Sequence, residues 1–132
     1  MAARKTALRR SALMAAGAFV VYGGWAAYAN HSYGLVTSLV SGVTQGTISF
    51  LVTAFMTLIL ETIFHSIGSK VLRFVVTALG AQAMVACATF TVHYIVGTPK
   101  IIVTMTPSFI VSSIYSVAYT TGMHLRDRRQ RA

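Results

Sequence analysis

Four long apolar runs constrain this chain more than any other feature of its sequence. They cover about residues 11–29, 43–65, 74–96 and 101–125, and Glu61 is the only Asp, Glu, Lys or Arg inside them. A helix rises about 1.5 Å per residue, so each run can cross the roughly 30 Å of hydrocarbon in a bilayer. The sequence therefore predicts an all-α membrane protein, a single domain built as a four-transmembrane-helix bundle. The short connections predict two antiparallel hairpins.

Composition excludes several other classes of protein. Hydrophobic residues make up 55% of the 132 residues and charged residues 10%, whereas about a quarter of a soluble domain is charged. A water-soluble fold this short leaves much of its surface exposed and could not bury so much apolar side chain. The sequence has no GxSxG, HExxH or P-loop motif and no acidic metal cluster, so we predict no enzyme activity, no cofactor and no metal. The single cysteine, Cys87, is expected to be a small buried hydrophobe.

The net charge of +9 is concentrated at the ends of the apolar runs. If both termini face the cytoplasm, ten of the eleven Lys and Arg residues lie on that side and only Lys100 lies outside. The positive-inside rule therefore predicts a multi-pass protein of the cell (inner) membrane with cytoplasmic N and C termini. This clustering favours anionic lipid headgroups over nucleic acid as partners. The predicted lipid contacts are Arg9, Arg10, Lys70, Arg73, Arg126 and Arg128.

Residues 1–29 also fit a secretory signal peptide. They have a basic start, an apolar middle and an A-x-A sequence at Ala27-Tyr28-Ala29, which is typical of a cleavage site. Arg9 and Arg10 add a hint of a twin-arginine signal. The apolar run read through Ala29 is nevertheless long enough to span a bilayer, so we predict that it is retained as the first helix.

Two polar ladders, rows of polar residues at four-residue spacing, run along the second and fourth spans. Four residues advance about 400° around a helix, so each step drifts by about 40° and the row forms a ridge. Such ridges pack in right-handed crossings, and small residues such as those of the Gly42–Gly46 GxxxG motif bring the backbones close. The ladders therefore serve either interhelical packing or a polar pathway between the hairpins. They comprise Ser41, Gln45, Ser49, Thr53, Thr57, Glu61 and His65, and Thr104, Ser108, Ser112, Ser116, Thr120 and His124.

The two ladders superpose at an offset of 63 residues. The same offset aligns Gly17 with Gly80, and it places Glu61 opposite His124. Two helical hairpins in parallel repeat, related by an axis along the membrane normal, would produce this pattern. The alternative is that Ser, Thr and Gly simply recur in any packed membrane bundle.

Glu61 is the candidate proton or cation site. It is the only acid within a span, and ionisable side chains inside a membrane are costly and by default mark a functional site or a charge pair. His65 lies four residues further on, and either His65 or His124 could share a proton with the carboxylate. The structural alternative is an interfacial carboxylate paired with Lys70 or Arg73.

Two further histidines, His31 and His93, lie near the outer ends of their predicted spans. They would approach each other if the outer loops pack together. With no nearby cysteine or acid they make a weak metal site, so we expect them to anchor the chain at the membrane interface.

Pro107 raises a question about where the fourth helix begins. If the helix begins near Ile101, Pro107 lies in its second turn and leaves the Val103 carbonyl without a helical partner. A hydroxyl such as that of Thr104, or a water molecule, would then satisfy this carbonyl. We favour a helix that begins at Thr106, because Pro107 would then be a first-turn proline.

These features predict a small transporter or a lipid-flippase-like protein that handles a small or lipid-linked substrate. Glu61 and the ladders would line the route, and the basic flanks would contact anionic headgroups. A lone four-helix bundle is expected to have little room for a substrate cavity, so we expect a homo-oligomer or a larger complex. The alternative is a non-catalytic accessory subunit that assembles or stabilises a larger membrane complex.

Overall fold

The computed structural model describes residues 2–131, with side chains for residues 9, 12–69 and 71–129. Across this range the chain is all-helical. The elements are α1 (Ala2–Ala29), a 3₁₀ turn (His31–Tyr33), α2 (Leu35–Ser66), α3 (Lys70–Val75), a π-helical segment (Val76–Gly80), α4 (Ala81–Val96) and α5 (Ile101–Arg131).

Four helices are long and apolar enough to cross a membrane, which fits a multi-pass membrane protein. The second begins at Leu35, ahead of the predicted boundary near residue 43, directly after Gly34. Gly34 has a φ of 96°, a conformation that glycine adopts without steric cost, so the chain turns there. The third combines α3, the π-helical segment and α4. The four candidate spans are Ala12–Ala29, Leu35–Ser66, Val71–Val96 and Ile101–Arg129.

Arg73 holds together one end of the bundle, which we call the basic end and define as the 67–69 turn with the end of α5. Its Nη1 lies 3.2 Å from Asp127 Oδ2, and both side chains are mostly buried. Its Nε donates to the Ile67 carbonyl at 2.7 Å, and its guanidinium lies 5.1 Å from the centre of the Phe64 ring. One side chain therefore links the end of α2, the start of α3 and the end of α5.

Asn30 has the corresponding role at the opposite end, which we define as the 30–34 and 97–100 turns. Its Nδ2 donates to Thr104 Oγ1 at 2.8 Å, and its Oδ1 accepts a hydrogen bond from the Lys100 backbone N–H at 3.1 Å. The side chain is completely buried. A single amide therefore joins the end of α1 to the start of α5, and both its nitrogen and its oxygen have the hydrogen-bond partners that a buried amide requires.

The backbones of α1 and α2 are in close contact. A Cβ atom added at Gly23 would lie 2.8 Å from the Gly42 carbonyl oxygen, and one added at Gly46 would lie 2.9 Å from the Phe19 carbonyl oxygen. The GxxxG motif of α2 thus faces α1, and Gly23 is the small residue that it meets. Such close approach increases the van der Waals contact between the two helices. This contact matters in a membrane, because the hydrophobic effect does not drive helices together there.

The buried face of α2 changes character along the helix. Ser41 and Ser49 are buried in its first half, whereas Met56 and Leu60 are buried in its second half and form the apolar core with α4. The ladder leaves this face because each four-residue step drifts by about 40°, and Thr53 is already exposed. Small polar packing at the opposite end therefore gives way to apolar packing at the basic end.

Cys87 is exposed, so the prediction that it is buried is wrong. The buried residues of α4 after its first turn are Thr89 and His93, which follow Gln82 along one face. Cys87 lies off this face, because residues turn by about 100° per position around a helix.

The start of α5 resolves the question about its proline. The helix begins at Ile101 with Pro107 inside it, so the prediction that it begins at Thr106 is wrong. Pro107 has no N–H, which leaves the Val103 carbonyl without a partner within the helix. The Trp25 indole Nε1 donates to that carbonyl at 2.9 Å. An indole of α1, rather than a hydroxyl or a water molecule, thus replaces the missing hydrogen bond.

Candidate functional site

A cavity of about 470 Å³ lies between α1, α2, α4 and α5, near the middle of the four apolar helices. Its volume is within the range of about 300–1,000 Å³ that small-molecule sites occupy. All of its lining residues are described, and none of them is Asp, Glu, Lys, Arg or His. The polar ladders supply six of them, namely Gln45, Ser49, Thr53, Thr57, Ser108 and Ser112.

Gln45 is the centre of a hydrogen-bond network in the cavity wall. Its Nε2 donates to Ser108 Oγ at 2.8 Å and to Ser49 Oγ at 3.2 Å. Its Oε1 lies 2.7 Å from His93 Nε2, and His93 Nδ1 lies 2.8 Å from Thr98 Oγ1. His93 is completely buried, so the prediction that it anchors the chain at the interface is wrong. The imidazole instead lies between the Gln45 amide and the Thr98 hydroxyl, and both of its nitrogens have hydrogen-bond partners.

His31 lies in a different environment at the opposite end. Its exposed ring stacks on Tyr28 with the ring centres 5.5 Å apart, and its Nδ1 lies 2.6 Å from the Tyr28 carbonyl oxygen. The two histidines of the predicted outer loops are therefore used differently, one at the surface and one in the interior. Among the described residues, no group of three His, Cys, Asp or Glu side chains could hold a metal ion.

Gln82 holds an unsatisfied hydrogen-bond acceptor within the wall of the cavity. Its side chain is 7% exposed and lines the cavity from α4. Its Nε2 donates to Ser112 Oγ at 3.0 Å and more weakly to the Phe109 carbonyl at 3.4 Å. Its Oε1 is buried and has no hydrogen-bond partner. A buried polar atom without a partner costs free energy, so this oxygen is an exception that requires an explanation.

A row of hydroxyls and rings leads from the cavity towards Glu61. Thr57 and Tyr115 both line the cavity, and their hydroxyl oxygens lie 2.8 Å apart. The Tyr115 ring stacks on Tyr119 with the ring centres 5.7 Å apart. The Tyr119 hydroxyl donates to Glu61 Oε1 at 2.7 Å. The half-buried carboxylate thus lies outside the cavity, on its basic-end side, and a tyrosine pair connects the two.

The imidazoles predicted to share a proton with Glu61 contact aromatic rings. His65 lies edge-on to Phe64 with the ring centres 5.6 Å apart, and His124 lies edge-on to Phe74 at 6.0 Å. No direct hydrogen bond joins Glu61 to either histidine within the described part of the chain. Tyr119 is the partner that the sequence analysis missed.

The predicted lipid contacts fall into two groups. Arg73 is mostly buried and pairs with Asp127, so its guanidinium is used within the bundle and not by the Glu61 carboxylate. The exposed members are Arg9, Arg126 and Arg128. The side chains of Arg10 and Lys70 lie outside the described residues.

The two remaining ladder residues, Ser116 and Thr120, pack against the π-helical segment. Ser116 Oγ donates to the Ala78 carbonyl at 3.0 Å. The hydroxyl oxygens of Thr120 and Thr77 are buried without a partner. π-Helical turns inside α-helices are frequent at functional sites. This one ends at Gly80, two residues before the cavity-lining Gln82.

The sequence contained a signal for one residue that the analysis missed. Gln82 is the only amide in the third apolar run, just as Glu61 is the only acid in the second. A single strongly polar residue within an apolar segment is the signal that identifies Glu61, and the same signal identifies Gln82. The roles of His93 and Tyr119 depend on how the helices are rotated, which spacing within one helix does not reveal.

Comparison of the chain with protein-family models, curated proteins and solved structures finds no match.

Proposed function

We propose that the chain is a small transporter or lipid-flippase-like protein that moves a small or lipid-linked substrate through the cavity between its helices. The observation that carries this proposal is that both polar ladders face a cavity of about 470 Å³ in the middle of four apolar helices. Polar groups within spans line substrate pathways because lipid alone cannot satisfy their hydrogen bonds.

The proposed architecture is two antiparallel hairpins in parallel repeat. On α1 and α2, contacts pair Phe19 with Gly46 and Gly23 with Gly42, so residue numbers fall on one helix as they rise on the other. Gln45 and Ser108 are hydrogen-bonded and differ by the offset of 63 residues, as equivalent residues beside a two-fold axis would be. Four further pairs with this offset line the cavity, namely Tyr22 and Val85, Ile48 and Val111, Ser49 and Ser112, and Val52 and Tyr115.

Glu61 has the proposed role of a proton or cation site below the cavity. The hydrogen bond that Glu61 accepts from the Tyr119 hydroxyl and the Tyr115–Tyr119 stack support this role, because they connect the carboxylate with the cavity lining. The exposed arginines at the basic end would contact anionic headgroups on the cytoplasmic side of the cell membrane.

A single chain already contains a cavity of about 470 Å³, so a lone bundle does have room for a small substrate. We nevertheless retain an oligomer or a partner as part of the proposal, because alternating access moves one rigid body against another. The competing function is that of an accessory subunit, in which the polar residues serve packing alone.

The proposal is tested by lipid translocation in vesicles that contain the purified chain. Fluorescent phosphatidylcholine, phosphatidylglycerol and glucosyl diacylglycerol are placed in both leaflets, and an impermeant reductant bleaches the outer leaflet. We expect at least one lipid to be bleached beyond its outer-leaflet share. Ser112→Leu, which fills the cavity, should lower that rate at least tenfold, whereas Ser113→Leu should not, since Ser113 is the next residue and lies outside the lining.

Two results would contradict the proposal. One is the absence of movement for all three lipids, with a large partner retained in mild detergent, which would support an accessory subunit. The other is equal effects of the two serine variants on rate. In the same assay, Glu61→Gln should remove the pH dependence of the rate and leave expression intact if Glu61 is a proton site. If the acid serves only structure, the variant should lose thermal stability and keep its rate.

A further inference from the structure

The Gln82 carbonyl oxygen and the charge-free lining together narrow the chemistry of the substrate. We infer that the cavity binds the uncharged, hydroxyl-bearing headgroup of a membrane lipid, such as a glycosyl diacylglycerol. This inference rests on the proposed function for the idea that a lipid enters the cavity, and it adds the class of headgroup.

The unpartnered oxygen of Gln82 favours a ligand that donates hydrogen bonds. Gln82 Oε1 is a buried acceptor with no donor, while its Nε2 already donates to Ser112. A ligand that satisfies Gln82 must therefore donate a hydrogen bond, and the side chain must turn its buried Oε1 towards that donor. The neighbouring Ser49 and Thr53 hydroxyls can donate or accept, so a headgroup with several hydroxyls matches the lining.

The absence of charged side chains from the cavity lining favours an uncharged ligand. The lining contains amides, hydroxyls and apolar groups but no ionisable acid or base. A phosphate would lose its hydration there without gaining a cation, which is a large cost in a low-dielectric site. None of the described arginines lines the cavity. An uncharged headgroup is therefore favoured over an anionic one.

Exposed apolar side chains of the lining indicate where a lipid could enter the cavity. Among the large apolar side chains of the lining, the most exposed are Met14 at 61%, Val21 at 64% and Val111 at 52%, on α1 and α5. All three lie within apolar spans, so the cavity opens sideways towards lipid between these helices. The two helices meet beyond this opening at the Trp25–Val103 hydrogen bond. Apolar side chains at the opening suit acyl chains, while the headgroup reaches Gln82.

The test is a binding measurement on the full-length chain in lauryldimethylamine oxide, a detergent without a sugar headgroup. Binding of glucosyl diacylglycerol is compared with that of diacylglycerol and phosphatidylglycerol carrying the same acyl chains, and with that of methyl glucoside. We expect the glucosyl lipid to bind at least tenfold more tightly than the other three. Gln82→Met keeps the size of the side chain and removes both the acceptor and the Nε2 donor to Ser112. It should weaken binding by roughly tenfold, the effect of one hydrogen bond to the ligand in a desolvated site.

The matched control is Thr91→Val in the same span. Thr91 is exposed and bonds only the Cys87 carbonyl of its own helix, so this variant should bind the glucosyl lipid unchanged. If Gln82→Met fails to fold, Thr53→Val supplies the same test, because Thr53 is exposed at the cavity and removal of its hydroxyl leaves packing intact.

Three results would overturn the inference: binding of phosphatidylglycerol as tight as that of the glucosyl lipid, unchanged binding by a folded Gln82→Met, or binding of methyl glucoside as tight as that of the lipid. The last would mean that a free sugar, not a lipid, is the ligand. Selective binding without any translocation would contradict the proposed function and leave this inference standing. Translocation without selective binding would contradict only this inference.

Discussion

Trp25 and Pro107 show how a single residue on one helix completes another helix. The proline removes the N–H that would bond the Val103 carbonyl, and the indole of α1 replaces it. Considered separately, a tryptophan near a helix end is typical of the membrane interface, and a proline is typical of the first turn of a helix. Their contact in the fold connects the two and holds α1 against α5 above the cavity opening.

At this scale we predict that Trp25 and Pro107 are energetically coupled. Trp25→Phe should lower the free energy of unfolding by about 1 kcal/mol beyond its packing loss, because the Val103 carbonyl loses its donor. In a Pro107→Ala background the new N–H can bond this carbonyl, so the same substitution should cost less. The measurement is reversible unfolding in mixed detergent for the four chains of the double-mutant cycle. Additive effects of the two substitutions would show that the indole hydrogen bond does not compensate for the proline.

At the scale of elements, the two hairpin halves are packed by different means. Backbone contact through glycines joins α1 to α2. The third span instead contains a π-helical segment, whose Ala78 carbonyl accepts a hydrogen bond from Ser116 of α5. If the two hairpins descend from one repeat, they differ at this segment, because the aligned residues of α1 form regular α-helix.

The glycine contact predicts opposite effects for two adjacent residues. Gly23→Ala should destabilise the bundle, because the new Cβ would lie 2.8 Å from the Gly42 carbonyl oxygen and the helices must separate. Gly24→Ala should be neutral or stabilising by up to about 1 kcal/mol, because nothing lies within 4 Å of its added Cβ and alanine favours the helix. Thermal unfolding of both variants in the same detergent decides the matter. Equal destabilisation would mean that α1 and α2 are not in backbone contact.

At the scale of the whole molecule, hydropathy anticipates the four apolar helices because it depends only on neighbouring residues in the sequence. The ladders anticipate six cavity residues, since a regular spacing keeps polar groups on one ridge. The roles of Gln82 and His93 required the rotation of α4 against α2 and α5. Likewise, the π-helical segment has no proline or other local sign in Val76–Gly80. It contacts α5 through the Ser116–Ala78 hydrogen bond, which no pattern within the segment encodes.

Orientation is the property of the whole molecule on which the placement of Glu61 depends. With Cys87 replaced by serine, single cysteines at Ser32 and Ser69 report the two ends, and both positions are exposed. Ten of the eleven Lys and Arg residues flank the end that contains Ser69, and the positive-inside rule keeps such an end in the cytoplasm. An impermeant maleimide added to intact cells should therefore label Ser32→Cys at once and Ser69→Cys only after the membrane is permeabilised. Labelling of Ser69→Cys alone would invert the topology and move Glu61 to the outer side. Partial labelling of both would mean that the chain inserts in two orientations, and the asymmetric charge would then not determine its topology.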